Sequence, residues 1–441
     1  MTLRAFRAEI LSVARDPRTH PDAVRHEVDG LLVVEDGIVV ARGDHDALRE
    51  RWGGVAVERV RGLIVPGFVD AHVHYPQMDH VASHGEQLLD WLTRHIFPAE
   101  RAFADRAHAD AVAAAFLVEL LRNGTTSALV FATVHAQSVD ALFDAAMHQG
   151  MRIASGKVLM DLGPDGLVDT PEEARSDSEA LIARWRGRGR LSYAVTPRFA
   201  LTSSDAQLSV AGDLLVAHPD TLLHTHLAEN ARECVAVAER FPDAHDYLDV
   251  YDRFGLVGAR SVFAHGVHLP DRACARLAKS DAGIATCPAS NLFLGSGTFD
   301  LAQADAHGIR VGLGSDIGAG PSFSLLYVAG LAYQAALARG RALDPFRALY
   351  LATAGGAALL RITDRVGGLL PGQEADFAVL DDSATPLLAR RTRGATLAER
   401  LFALQILGDD RVIARTYIMG ECAWNRDGPA SSDPEGQYDR R

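Results

Sequence analysis

Lysine is nearly missing from this chain of 441 residues: Lys157 and Lys279 are the two among its 44 basic side chains. Cysteine is scarce too, and Cys234, Cys274, Cys287 and Cys422 are scattered without C-x-x-C spacing. That pattern argues against a disulfide framework or a thiolate zinc site and leaves a buried, reduced thiol as the default for each. Positive charge is in deficit overall. The formal net charge of −13 argues against nucleic-acid phosphate or an anionic membrane surface as partner. No stretch approaches the roughly eighteen apolar residues of a membrane span, and Met1 to Arg18 lacks the continuous apolar run of a secretory signal. A cytoplasmic protein is expected.

What the chain does have is apolar content, 48% by count, enough for one large core. The length suits a closed α/β barrel with a small appended domain, although two or three unrelated domains also fit it. Residues 1–65 read as short β segments, Leu31–Val34 and Gly37–Ala41, with Asp36-Gly37 as the hairpin turn between them. They form an incomplete sheet. Its missing strands are expected from the far end, Phe377–Leu380 and Val412–Ile418, so that both termini share one β domain. Between these, short apolar strands alternate with Ala- and Leu-rich helices, the signature of a parallel sheet with crossover helices. Eight such strands can be counted: the run ending at His74, then 125–131, 152–160, 191–195, 221–225, 261–264, 283–286 and 310–313. Eight is the number a (β/α)₈ barrel needs. The expected division is 1–65 and 365–424 for the β domain, 66–364 for the barrel, and 425–441 as a disordered tail rich in Gly, Pro, Ser and Asp.

The sequence is organised around Pro66-Gly-Phe-Val-Asp-Ala-His72-Val-His74-Tyr-Pro-Gln77. On a strand, His72 and His74 project to the same side. In a barrel, function gathers at the strands' C-terminal ends. Those ends carry His72 and His74, then Arg198, His226, His265 and Asp316. For a lone histidine, a hydrogen-bonded core residue is the ordinary reading. Imidazoles and a carboxylate at successive strand ends instead match a catalytic metal site. A site of this type takes Zn²⁺, and also Fe²⁺ or Mn²⁺.

The motifs Pro-Gly-Phe-Val-Asp-x-His72-x-His74, Thr-His226-x-x-Glu229, Ala-His265-Gly, Cys287-Pro-x-Ser290-Asn291 and Gly-Leu-Gly-Ser-Asp316 resemble the amidohydrolase superfamily. Gly368-x-Leu-x-Pro-Gly-x-x-Ala-Asp376-Phe resembles the signature of its appended domain. The resemblance implies an α/β fold, a (β/α)₈ TIM-type barrel with a small β-sandwich built from both termini. A narrower set of matches is similar to the guanine deaminase family: Gln77, Trp91-Leu-Thr, Phe97-Pro-Ala-Glu100, Phe131-Ala-Thr-Val-His135, Met160-Asp161-Leu, Pro197-Arg198-Phe199 and Ser315-Asp-Ile-Gly-Ala-Gly-Pro-Ser. It implies hydrolytic deamination of guanine, a homodimer, zinc ligands His72, His74, His226 and Asp316, and His265 beside the metal's water. Some superfamily members bridge two metals with a carboxylated lysine on the fourth strand. Here that strand has no lysine, and Lys157 should point away from the barrel mouth, so one Zn²⁺ per chain is expected.

Roles follow from the chemistry of these groups. Asp316 would accept the water's proton, Glu229 would carry protons to the ring and the departing amine, and His265 would steady the tetrahedral centre. Gln77 and Arg198 offer donors and acceptors to a purine edge, with Phe199 and Trp91 as apolar walls. Each of these has a plainer alternative: Glu229 as a surface residue in a helix's first turn, Arg198 paired with a structural carboxylate, Phe199 and Trp91 as core. Cys287 reads as packing or positioning, and His84, His95, His135, His224 and His268 as core or supporting residues. Two other functions remain in view at this point: action on another aminated ring such as 8-oxoguanine or a triazine, and a barrel without catalysis that serves as a binding or assembly protein.

Overall fold

The apolar run that leads into His72 serves two sheets. In the computed structural model, which describes residues 2–84 and 87–428, Val57–Pro66 is one strand and Phe68–His74 another. Gly67 makes the break, because a Cβ there would lie 2.2 Å from Thr126 Oγ1. The first of these strands belongs to a seven-stranded mixed sheet, ordered 421–425, 413–418, 377–380, 57–66, 3–13, 24–35, 38–44. Both termini therefore supply the β domain, as expected, and Asp36 (φ 47°) with Gly37 (φ 84°) makes the hairpin turn. The expected sandwich is a single ladder that curls. Phe6 meets Phe377 and Tyr417 edge-on at 5.2 and 5.3 Å, although their strands lie two and three places away along the sheet. Register shifts at Ala8/Ile10 and Arg7/Glu9 supply the bends.

The second strand opens the barrel. Phe68–His74, Thr125–Phe131, Arg152–Gly156, Ser192–Pro197, Leu222–Leu227, Ser261–His265, Gly283–Thr286 and Arg310–Leu313 pair in parallel, in chain order. The strand expected over 152–160 breaks at Lys157 and resumes as Val158–Leu159. Lys157 is buried, its ammonium held by Asp169 and, at 3.5 Å, by Asp177. Between last and first strands the ring is closed at the mouth, where the Asp316 N–H donates to the His72 carbonyl at 2.9 Å. Asp70 adds to this closure: its carboxylate accepts the Ser315 N–H at 3.0 Å and the Ser315 hydroxyl. Small residues fill the interior, Ala71, Ala154, Ala194 and Ala285 among them, and Ala357 and Leu359 plug the floor.

A helix runs Arg106–Arg122, capped by Asp105, and Gly124 (φ 79°) turns the chain into Thr125–Phe131. At the barrel floor Arg190 donates to Asp376, Glu374 and the Gly150 carbonyl, while Arg152 also holds Glu374. Asp376, from the motif of the appended domain, thereby ties that domain to the barrel. Arg190→Met would leave the buried Asp376 carboxylate without its cation, while Glu374 keeps Arg152, and the expected loss is about 3–5 kcal/mol of unfolding free energy, read by denaturant titration. Of the tail expected over 425–441, Asn425 closes the last strand and Arg426 bonds Asp381; residues 429–441 lie outside those described. Among the described residues, no helix is long and apolar enough to cross a membrane.

Candidate active site

Strand ends one, five and eight bring four donor atoms together. His72 Nε2 lies 3.2 Å from Asp316 Oδ1, His74 Nε2 lies 3.5 Å from the same oxygen, and the Nε2 atoms of His74 and His226 are 3.2 Å apart. The protonation of these rings is set from behind. His226 Nδ1 is 2.7 Å from the Arg198 carbonyl, which fixes the proton there and leaves Nε2 as a lone pair. His72 Nδ1 faces His224 Nε2 at 2.7 Å, leaving His72 Nε2 buried with no hydrogen-bond partner. Burial first, and neighbouring imidazoles second, hold His74 and His226 well below the usual histidine range, so both rings are neutral. The His226 Nε2 lone pair, the His74 and His72 Nε2 atoms and an Asp316 oxygen thus converge on one point, as the donor set of a cation does. Ligands about 2.0–2.1 Å from a tetrahedral Zn²⁺ are separated by about 3.3–3.4 Å, close to the 3.2 and 3.5 Å found here. The residues fit the metal.

Beside this cluster His265 (φ 72°) and Asp316 (φ 50°) adopt left-handed backbone, as does Ala228 (φ 49°) just before Glu229. Such conformations are costly for residues with a Cβ and concentrate where side chains must be aimed. His265 Nδ1 meets Asn291 Oδ1 at 2.9 Å, and its Nε2 lies 3.4 Å from Glu229 Oε2 and 3.8 Å from Asp316 Oδ2. Glu229 is buried, not a surface residue, and its Oε1 has no partner. Burial, then the nearby Asp316 and Glu233 carboxylates, raise its carboxyl well above the ordinary range. Glu233 accepts the N–H groups of Glu229 and Asn230 at 2.9 and 3.1 Å, capping the helix that follows.

All of this opens on one cavity at the barrel mouth. Gln77, Trp91, Arg198, Phe199, His74, His226, Glu229, His265 and Asp316 line it, while His72 stands behind. Trp91, Leu88, Leu92, Phe199 and Ala319 pack as one apolar cluster. The carboxylate alternative for Arg198 is realised as well, since Glu100 holds both its terminal nitrogens. Cys287 donates its thiol to the Ala285 carbonyl at 3.4 Å, and burial keeps that thiol neutral.

Residues 63–423 match the amidohydrolase family over most of the chain. The chain belongs to the amidohydrolase family. It is 47% identical to the guanine deaminase of Escherichia coli, over 96% of this chain and 98% of the relative. It is 40% identical to a probable guanine deaminase of Deinococcus radiodurans, over 97% and 100% respectively. A solved structure of the E. coli enzyme superposes with a TM-score of 0.93 at 46% identity, covering 97% of this chain and all 100% of that one. A guanine deaminase from C. acetobutylicum, solved with guanine bound in its active site, gives 0.89 at 29% identity over 96% and 100%.

Within this amidohydrolase the sequence-expected residues all gather at one mouth. Reasoning from strand ends did not assign Glu100, Glu233 or Asn291 to the site, and it left His224 without a partner. Glu100 and Asn291 did stand inside quoted motifs, so the signal was present without a partner to interpret it.

Proposed function

We propose that this amidohydrolase hydrolyses guanine to xanthine and ammonia, with one Zn²⁺ per chain, as a cytoplasmic homodimer. The observation that carries the reading is that Glu229, Gln77 and Arg198 line one cavity together with His74, His226 and Asp316, with His72 directly behind. Full-length relatives named as guanine deaminases support it. The commitment of Lys157 to Asp169 supports a single metal, because that amine is not free to bridge two.

His72, His74, His226 and Asp316 would hold the Zn²⁺. A bound Zn²⁺ supplies the Lewis acidity that brings the pKa of water down to about 7. Arg198 presents donors to the base's carbonyl oxygen, Gln77 meets its neighbouring ring nitrogen, and Trp91 and Phe199 confine the ring against apolar surface. Asp316 receives the water's proton. Glu229, protonated because it is buried among carboxylates, donates that proton to a ring nitrogen, regains the one that Asp316 took from the water and delivers it to the amine as the C–N bond breaks; the proton left on the new hydroxyl returns to the carboxyl as the carbonyl forms. His265, with its proton on Nδ1, turns the Nε2 lone pair toward the water and fixes its orientation.

Ammonia release from guanine, 8-oxoguanine, adenine and cytosine, with zinc determined on the same sample, tests the reading. Turnover of guanine in preference to the others is expected, and faster turnover of 8-oxoguanine would replace the substrate. Sedimentation gives the expected mass of a chain pair. A close approach gives a further check. A Cβ on Gly318, already at φ 114°, would lie 2.1 Å from Gln77 Oε1. Gly318→Ala must therefore displace Gln77, and KM for guanine is expected to rise by at least about tenfold with zinc content unchanged.

A further inference from the structure

Glu100, on the short helix Phe97–Arg101, is 1% exposed and lies outside the metal cluster. Its two oxygens hold both base-facing polar residues. Oε1 accepts from Gln77 Nε2 at 3.2 Å and from Arg198 Nη2 at 3.0 Å, and Oε2 accepts from Arg198 Nη1 at 2.5 Å. A carboxylate in this ion pair can only accept, so the amide of Gln77 must turn its NH₂ toward Glu100. Its Oε1 is left on the side where Gly318 makes room. The Phe97 ring, 5.3 Å from Arg198 Cζ, supports the guanidinium. Gln77 and Arg198 both line the cavity, so a ligand at this wall meets donors from Arg198 beside a Gln77 amide whose orientation Glu100 sets.

We propose that Glu100 is the positioning residue that imposes this polarity and so makes the site read a lactam edge, a ring N–H beside a carbonyl. This inference rests on the guanine reading and deepens it. Guanine offers that edge, and the 6-amino edge of adenine or 2,6-diaminopurine offers the reverse, a ring acceptor beside an NH₂. With Glu100 neutralised to an amide, the Gln77 amide is free to turn over while Arg198 remains a donor, and discrimination at the ring nitrogen beside the carbonyl is weakened. A carboxylate that served only to fill space or neutralise Arg198 would affect both bases alike.

The test compares guanine with 2,6-diaminopurine, which keeps the 2-amino group and changes only the edge, each as substrate or competitive inhibitor of the zinc-loaded full chain. In Glu100→Gln the preference for guanine is expected to fall at least about tenfold, mostly through KM. Glu100→Asp, which keeps the acceptor-only charge, retains the preference even if both bases bind more weakly. Should Glu100→Gln fold poorly, Gln77→Met and Gln77→Met with Glu100→Gln are compared: the second substitution is expected to add little to the change in preference once the amide that Glu100 orients is gone. An unmoved preference in Glu100→Gln, or independent losses in the double variant, would overturn the positioning role. Absence of guanine turnover by the zinc-loaded wild type would overturn the function reading instead.

Discussion

Glu229→Gln is expected to lower kcat by roughly 10²–10⁴-fold while zinc content and KM for guanine change little. The substitution keeps size and shape and removes only the transferable proton. Three observations make the loss large. The carboxyl is 3% exposed, so bulk water cannot substitute as the acid. It lies 3.4 Å from His265, next to the position where the nucleophile is oriented. Its affinity for a proton is raised by burial and by Asp316 and Glu233, so it enters the cycle as the acid that a ring nitrogen requires. Because Glu229 is none of the convergent donor atoms, zinc analysis separates this outcome from loss of the site. A variant with wild-type rates would remove Glu229 from the mechanism.

The strand ends were legible because barrel topology converts sequence order into spatial order: once eight strands can be counted, His72, His226, His265 and Asp316 must meet. The β domain was legible in its hairpin and its C-terminal strands, whose turn residues are local signals. Its first strand, Leu3–Val13, was not read, since half of it faces a core completed by residues from the other end of the chain. The change of sheet at Gly67 was hidden for a related reason. The Pro66-Gly67 pair inside the run from Leu63 to Val69 is a local turn signal, but that the chain changes sheets there depends on the Thr126 side chain, brought in by Thr125–Phe131. Glu100 is 98 residues from Arg198, and His224 reaches His72 across 152 residues, so their roles depend on rotamers and distances that periodicity does not encode.

Removal of the metal is expected to reduce turnover by at least ~10⁴-fold, because without it the attacking water returns toward its bulk pKa of about 15.7. The geometry also predicts a stability effect, which activity alone would not report. The Nε2 atoms of His74 and His226 lie 3.2 Å apart, and those of His72 and His74 lie 3.2 and 3.5 Å from Asp316 Oδ1, a donor set that exists only in the folded chain. A cation that binds it stabilises the folded chain by about 4 kcal/mol when free zinc exceeds its Kd a thousandfold. Dialysis against a chelator should therefore lower Tm as well as kcat, and one equivalent of zinc should restore both. His226→Ala removes the donor that the Arg198 carbonyl orients, and in that variant added zinc should raise Tm by much less than in the wild type. Full turnover by protein shown by elemental analysis to be metal-free would refute the assignment of the four ligands.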